Sequence, residues 1–229
     1  MKLQKVTDAG QAEPVRHGRR YRDACGAAFA LELVGERWAL LIMRELMFGP
    51  KRFGAIRGGL PAISARVLAE RLGELEAAGV VRREMLAPPA SVAVYALTDW
   101  GRQADEAMLA LCRWSLQSPG HDPSLHLSSA GLMMSLRALF RGGADTAGEI
   151  AVGEDLFAVS VAKGVFTVRS GAGEAAAFRL TAADARPLMQ LFYGKVGLAA
   201  AEAVGLAVAG DRAAAAAFGG CFALPDKLA

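Results

Sequence analysis

Ser64-Ala65-Arg66-Val67-Leu68-Ala69-Glu70-Arg71-Leu72-Gly73-Glu74-Leu75-Glu76-Ala77-Ala78-Gly79 is the stretch that decides the fold of the first half of the chain. A serine side chain accepts from the free N–H groups of a first helical turn and a glycine suits the end of a last one. The spacing therefore predicts a helix capped by Ser64, running to about Ala78 and ending at Gly79. Leu68, Leu72 and Leu75 recur three and four apart and form one apolar stripe. Arg66, Glu70, Arg71 and Glu74 spread over the remaining surface, so one side of the helix has a core to cover and the other is free to meet a partner.

Upstream of this helix, Gly59-Leu60-Pro61 makes a turn and Arg52 to Gly58 reads as a short helix. Gly49-Pro50 stops the element before it, because proline cannot supply the backbone N–H of a continuing helix. Phe29 and Leu33, then Trp38, Leu41, Ile42 and Leu46, keep helical spacing, which predicts two helices broken near Gly35. Downstream, Val80 to Leu86 and Val92 to Leu97 read as two strands of a hairpin whose tip, Ala87-Pro88-Pro89-Ala90-Ser91, carries two prolines that cannot join a ladder. Thr98 is placed to cap a last helix through Trp100, Met108, Leu111, Cys112 and Trp114, and Pro119-Gly120 closes the segment. Helix, helix, short helix, longer helix, hairpin, helix is the order of a winged helix-turn-helix.

The flanking segments differ in character. Residues 1–22 have no apolar period and end in Arg16-His17-Gly18-Arg19-Arg20-Tyr21-Arg22, which reads as a flexible basic arm, either solvated or reaching a minor groove. Residues 121–130 read as a linker. Leu132, Met133, Leu136, Leu139 and Phe140 then predict an amphipathic helix stopping at Gly142-Gly143. Asp155 to Val161, Val165 to Arg169 and Ala175 to Leu180 read as three strands whose natural pairing is a meander. Thr181 and Asp184 are spaced to open a helix that Pro187 bends, and Asp211 caps a final helix ending at Gly219-Gly220. The expected fold class is α+β: a winged helix-turn-helix domain over 23–120 for DNA binding and dimerisation, then a smaller α+β domain over 131–229 with an antiparallel or mixed sheet.

Composition narrows the function classes. With 229 residues, 53% hydrophobic and 21% charged, the chain can bury real cores, which excludes disorder over most of its length. Its net charge of +3 is unevenly placed: 17 Lys and Arg face 13 Asp and Glu in residues 1–120, against 9 and 10 in residues 121–229. The first part is the one expected to meet an anionic partner. Val196 to Gly210, the longest nearly uncharged stretch, carries Glu202 and is too short for a membrane span, so no membrane partner is expected. The polar, Arg-rich start does not resemble a secretory signal, and Cys25, Cys112 and Cys221 are an odd, scattered set. A cytoplasmic protein with reduced thiols, associated with the bacterial nucleoid, is expected.

The run from Cys25 to Gly101 closely resembles the HxlR family of bacterial transcriptional regulators. The resemblance is carried by Gly35-Glu36-Arg37-Trp38, Ile42-Met43-Arg44-Glu45-Leu46, Gly49-Pro50-Lys51-Arg52-Phe53, Ile63-Ser64, Leu68-Ala69-Glu70-Arg71-Leu72, Gly79-Val80-Val81 and Tyr95-Ala96-Leu97-Thr98, and it spans about a third of the chain. It implies a homodimer on double-stranded operator DNA, paired through the terminal helices of the winged domain, with repression the expected sign. Ser64, Arg66, Val67 and Glu70 stand at the start of the helix that would enter the major groove. There Arg66 suits a bidentate guanine contact, Ser64 a phosphate or base hydrogen bond, and Glu70 acceptance from cytosine N4 or repulsion of phosphate. Arg52, Arg57, Arg82 and Arg83 are the candidate phosphate clamps. Arg71, beside Leu72, is open to an intradomain ion pair instead.

Many members of that family carry a cysteine at the position of Cys25, which implies either a thiol redox switch or a small packing residue in the dimer contact; Gly26 stands where proline is common. Catalysis is not expected, and neither is a cofactor or a metal. His17, His121 and His126 form no zinc pattern, and no Gly-rich phosphate loop with lysine and no Gly-x-Ser-x-Gly elbow occurs. Residues 131–229 are similar to the sterol-carrier-protein-type fold, which implies a hydrophobic small-molecule effector within an apolar tunnel. Met133, Phe140, Phe157, Phe166, Phe178, Met189, Phe192 and Phe218 are its candidate walls, with core packing as the alternative role. A lipid-type carrier in which the winged domain only dimerises is the reading from another function class.

Overall fold

The computed structural model describes residues 21–86, 92–194 and 196–228. The first lobe runs α1 (Gly26–Val34), α2 (Ala39–Leu46), α3 (Phe53–Gly59), α4 (Ala65–Ala77), β1 (Val81–Met85), β2 (Ala93–Leu97), α5 (Asp99–Arg102) and α6 (Asp105–Ser115). This is the expected winged order. The Ser64 Oγ accepts from the Val67 N–H at 3.2 Å and caps α4, whose Leu68, Leu72 and Leu75 are buried against Ile42, Met43 and Ile56. The break between α1 and α2 spans Gly35 to Trp38, and Trp38 takes φ 82° with the Arg37 guanidinium 5.2 Å from its ring centre. Strands β1 and β2 pair antiparallel from Val81 opposite Leu97 to Met85 opposite Ala93, and a bridge from Lys51 to Tyr95 ties the start of α3 to the wing. The predicted hairpin tip, Ala87 to Ser91, and most of the basic arm lie outside the described residues. After Thr98 the chain makes two helices, α5 and α6, where the sequence predicts one.

The second lobe runs α7 (Ser129–Leu139), β3 (Thr146–Val152), β4 (Asp155–Ala162), β5 (Val165–Ser170), β6 (Phe178–Ala182), α8 (Arg186–Tyr193), α9 (Leu198–Glu202), β7 (Ala207–Gly210) and α10 (Arg212–Gly219). Its sheet has the order β5-β4-β3-β6-β7, with β3 and β6 parallel and the other neighbours antiparallel. The sheet is therefore mixed, and the expected meander holds only as far as β4–β5. Strand β6 instead returns to the far side of β3, a strand that sequence patterning does not predict. Thr181 lies within β6 and opens no helix. Pro187 falls in the first turn of α8, where its missing N–H costs nothing, so it does not bend the helix. The Asp211 carboxylate does cap α10, accepting from the N–H groups of Ala213 and Ala214.

Alternation along the strands sends Ile150, Phe157, Val159, Phe178 and Leu180 to the inner face. Gly148 has no side chain because the Phe178 ring occupies the space a Cβ would need. The eight side chains expected to wall an apolar tunnel belong to this core. Phe218 stands 5.1 Å from Phe178, 5.9 Å from Phe166 and 6.0 Å from Phe192 between ring centres, and Phe140 stacks on Phe166 at 5.6 Å. Phe222, on none of the predicted elements, closes the cluster at 5.1 Å from both Phe166 and Phe218. Rings at these separations are in contact. Phe157 meets Phe48 of the first lobe at 5.6 Å and Met133 is fully buried; Met189 both packs on the core and reaches an outer cleft.

The two lobes share a helix. Nine of the eleven residues of α7 are buried, with Leu132, Met133, Leu136 and Leu139 in the second core and Met134 and Ala138 in the first. It begins at Ser129, inside the stretch that sequence patterning leaves as linker. Beside its start, the fully buried Glu45 carboxylate of α2 accepts from Ser128 Oγ at 2.6 Å, Arg44 Nη2 at 2.8 Å and Lys51 Nζ at 3.3 Å. Gly59 passes so close that any Cβ there would strike the same carboxylate. Lys51 also reaches Asp155 of β4 at 3.4 Å, and Asp155 accepts from Ser129.

Candidate nucleic-acid interface

Because Leu60 and Ile63 are buried in the turn between α3 and α4, the relation of the two helices is set by the core. The leucine stripe of α4 faces inward, and Arg66, Ala69, Glu70 and Gly73 face solvent at i, i+3, i+4 and i+7. Arg66 and Glu70 thus share one open face, as the sequence predicts. Ala69 and Gly73 complete it and are absent from the sequence-derived set, although their spacing from Arg66 is the signal that finds them. Their small side chains leave room for a close approach, and an alanine methyl can meet the C5-methyl of thymine. Val67 departs from expectation: it is half-buried and packs on the first core.

Ser64 is exposed, and with its oxygen accepting from Val67 its hydroxyl hydrogen remains to be donated. Arg52 occupies the N-cap position of α3 and Arg57 its last turn, both exposed; Arg83 is exposed on β1. Among the described residues, Arg52, Arg57, Arg66 and Arg83 have no carboxylate partner. Arg82 differs, since it pairs with Glu84 and donates to the Leu97 carbonyl at 2.8 Å, a carbonyl that Arg102 also reaches at 2.9 Å. It is partly engaged in holding the base of the wing. Arg71 makes the predicted ion pairs, at 2.5 Å to Glu74, 3.1 Å to Glu70 and 3.6 Å to Glu36.

The ends of this lobe carry unpaired apolar surface. Helix α1 buries no residue; Phe29 and Leu31 stand open on it, as do Leu111 and Trp114 on α6, with Trp114 71% exposed. Cys25 is exposed just ahead of α1, and the backbone N–H groups of Ala27 and Ala28 at the helix start hold its thiol below the ordinary range. Burial pushes the Cys112 and Cys221 thiols up. Among the described residues, no group of three or more His, Cys, Asp or Glu side chains is arranged to hold a metal ion, and no helix is long and apolar enough to cross a membrane.

A capped helix with an open polar face, set behind a shorter helix and followed by an antiparallel wing, defines a winged helix-turn-helix protein. The HxlR-like helix-turn-helix family model matches residues 33–121. YvaP, an HTH-type transcriptional regulator of Bacillus subtilis, is 38% identical over 89 residues, covering 38% of this chain and 82% of that protein. YodB, an HTH-type transcriptional regulator of the same organism, is 40% identical over 88 residues, covering 38% of this chain and 79% of that protein. The solved reduced form of YodB shares 36% identity, covers 44% of this chain and 100% of that chain, and superposes with a TM-score of 0.39. The chain belongs to the HxlR-like helix-turn-helix family of transcriptional regulators.

Proposed function

We propose that this protein is a cytoplasmic, homodimeric repressor that reads a palindromic operator with α4. The observation that carries the proposal is the open Arg66–Ala69–Glu70–Gly73 face of a Ser64-capped helix, on a lobe where Arg52, Arg57 and Arg83 stand exposed and, among the described residues, have no carboxylate partner. Arg66 takes a guanine edge, Glu70 a cytosine N4, and the Ser64 hydroxyl a phosphate or base; Val67 fixes the rotation of the helix by packing. Arg52, Arg57 and Arg83 grip phosphates, with Arg82 contributing less because the wing already uses it. Phe29 and Leu31 of α1 with Leu111 and Trp114 of α6 are the pairing surface.

The second lobe, over 131–229, is the sensing part. Since rings fill its interior, a hydrophobic effector would enter the outer cleft of about 390 Å³, whose apolar wall is Pro123, Met189, Tyr193 and Leu224, with Arg186 and Gln190 beside it. Selection of bound duplexes from a randomised pool tests the whole proposal. An inverted repeat with half-site centres about 34–36 Å apart is expected, whereas no enrichment, or enrichment of a lone half-site, contradicts it.

A second reading is favoured by the exposure and lowered pKa of Cys25, which suit a thiol redox switch at the start of α1. It requires that an oxidant change DNA binding by the native chain and leave Cys25→Ser unmoved.

A further inference from the structure

We infer that the second lobe grips α6 at both ends and thereby sets the position of the surface through which two copies pair, with Arg137 and Lys227 as the positioning residues. The inference rests on the dimer reading above. At the first turn of α6, the Asp105 carboxylate accepts two parallel bonds from the Arg137 guanidinium of α7, Nη1 to Oδ1 and Nη2 to Oδ2, each 2.6 Å. Both side chains are largely shielded, and this fork geometry fixes direction as well as distance. At the other end, Lys227 Nζ donates to the carbonyls of Leu116 and Ser118 at 3.0 Å each, and the Leu228 N–H donates to the Gln117 carbonyl at 2.9 Å. The Leu116 carbonyl, at the C-cap of α6, lacks a partner within the helix and carries its partial negative charge, so an ammonium there satisfies both needs.

These grips come from far along the chain, 32 residues on for Arg137 and 111 for the Lys227 bond to Leu116. Between them α6 turns Met108 and Leu109 into the first core and leaves Leu111 and Trp114 open. Arg137 is itself anchored, since its helix starts at the Ser128–Glu45 bond to α2. The open face of α6 therefore cannot tilt or slide without breaking a contact to the second lobe. In a dimer paired through that face, its tilt fixes the separation of the two α4 helices, which must match the operator half-sites. A change in the second lobe reaches DNA through these two residues, with no contact to DNA of its own.

The test uses the full chain carrying Lys227→Met, Arg137→Gln, or the conservative Lys227→Arg. Sedimentation velocity gives the dimer dissociation constant, and hydrogen exchange gives amide protection in α6 and, as an internal control, in α4. Lys227→Met and Arg137→Gln are expected to weaken pairing by about tenfold or more, given what charge-assisted hydrogen bonds contribute. Exchange should quicken in α6 and stay unchanged in α4, and Lys227→Arg should restore both readouts. Lys227→Met lies on the terminal segment beyond the last helix, so folding of either core is not at stake, and intact α4 protection verifies this. A dimeric wild type whose variants pair within twofold and keep α6 protection overturns the grip alone. A wild type that stays monomeric at every concentration overturns the dimer reading and the inference with it.

Discussion

The Ser128 hydroxyl donates to the Glu45 carboxylate at 2.6 Å, and through this one bond the cap of α7 meets the helix that carries the first lobe's core. Glu45 has no exposed surface and Ser128 is 5% exposed. A carboxylate so placed is tolerated only because Arg44, Lys51 and Ser128 together replace the water it has lost.

Removing a member of that cluster should cost more than its bond. Glu45→Ala leaves shielded cations facing a hole and is expected to destabilise the chain by about 3–5 kcal/mol in urea unfolding. Ser128→Ala loses the Glu45 bond and the cap to the Gly131 N–H together, for about 1–3 kcal/mol. The exposed cap residue gives the comparison: Ser64→Ala should cost about 1 kcal/mol. Equal small losses at Glu45 and Ser64 would show that the junction is not a buried ion cluster.

Acid should weaken the outer face of the second sheet. Glu149 is nearly buried there, and the Gly173 N–H at 2.9 Å, together with the Arg179 guanidinium, holds its carboxyl below the usual range. A pKa depressed by folding contributes stability that is complete above the ordinary value of 4.5 and lost as pH falls through the folded value. The gap in urea midpoint between the native chain and Glu149→Gln should therefore be widest near neutrality and close as the solution is acidified. A gap that stays constant with pH contradicts the assignment.

Thiol labelling should follow exposure and the pKa order. Iodoacetamide is expected to modify Cys25 before Cys112 and Cys221, since Cys25 is exposed with a lowered pKa and the other two are raised by burial. Mass spectrometry of a time course reads this directly. Slower labelling of Cys25 than of Cys112 would place it under a partner copy.

Base readers and phosphate clamps should fail differently. Arg66→Ala is expected to relax discrimination at one base pair per half-site by about 1–3 kcal/mol, while Arg83→Ala weakens every duplex and lowers the salt slope by about one. Arg82→Ala should also loosen the wing, because Arg82 holds the Leu97 carbonyl. Uniform loss for Arg66→Ala across sequences would remove it from base reading.

The first lobe is legible in the sequence because its contacts are local. Ser64, the leucine stripe and Gly79 each act within a few residues, and so place α4 almost to its ends. The second lobe depends on distant pairing. Thr146-Ala147-Gly148-Glu149-Ile150-Ala151-Val152 has little strand character of its own; it becomes β3 because Phe178 fills the gap at Gly148, Arg179 satisfies Glu149, and strands flank it on both sides. Ala207–Gly210 becomes β7 for the same kind of reason, by pairing with β6. The open face of α4 was visible as Arg66 and Glu70, but Ala69 and Gly73 carry no charge to draw attention. The cluster around Glu45 was not visible, since Ser128, which completes it, lies 83 residues further along the chain.

Whether α4 reads DNA sequence is decided by fluorescence anisotropy. A labelled duplex from upstream of the protein's own gene is titrated against a scrambled duplex at several salt concentrations. Tighter binding to the upstream duplex is expected, by about a thousandfold or more, with affinity falling steeply as salt rises. Equal, weak binding to both duplexes at every salt concentration would contradict it.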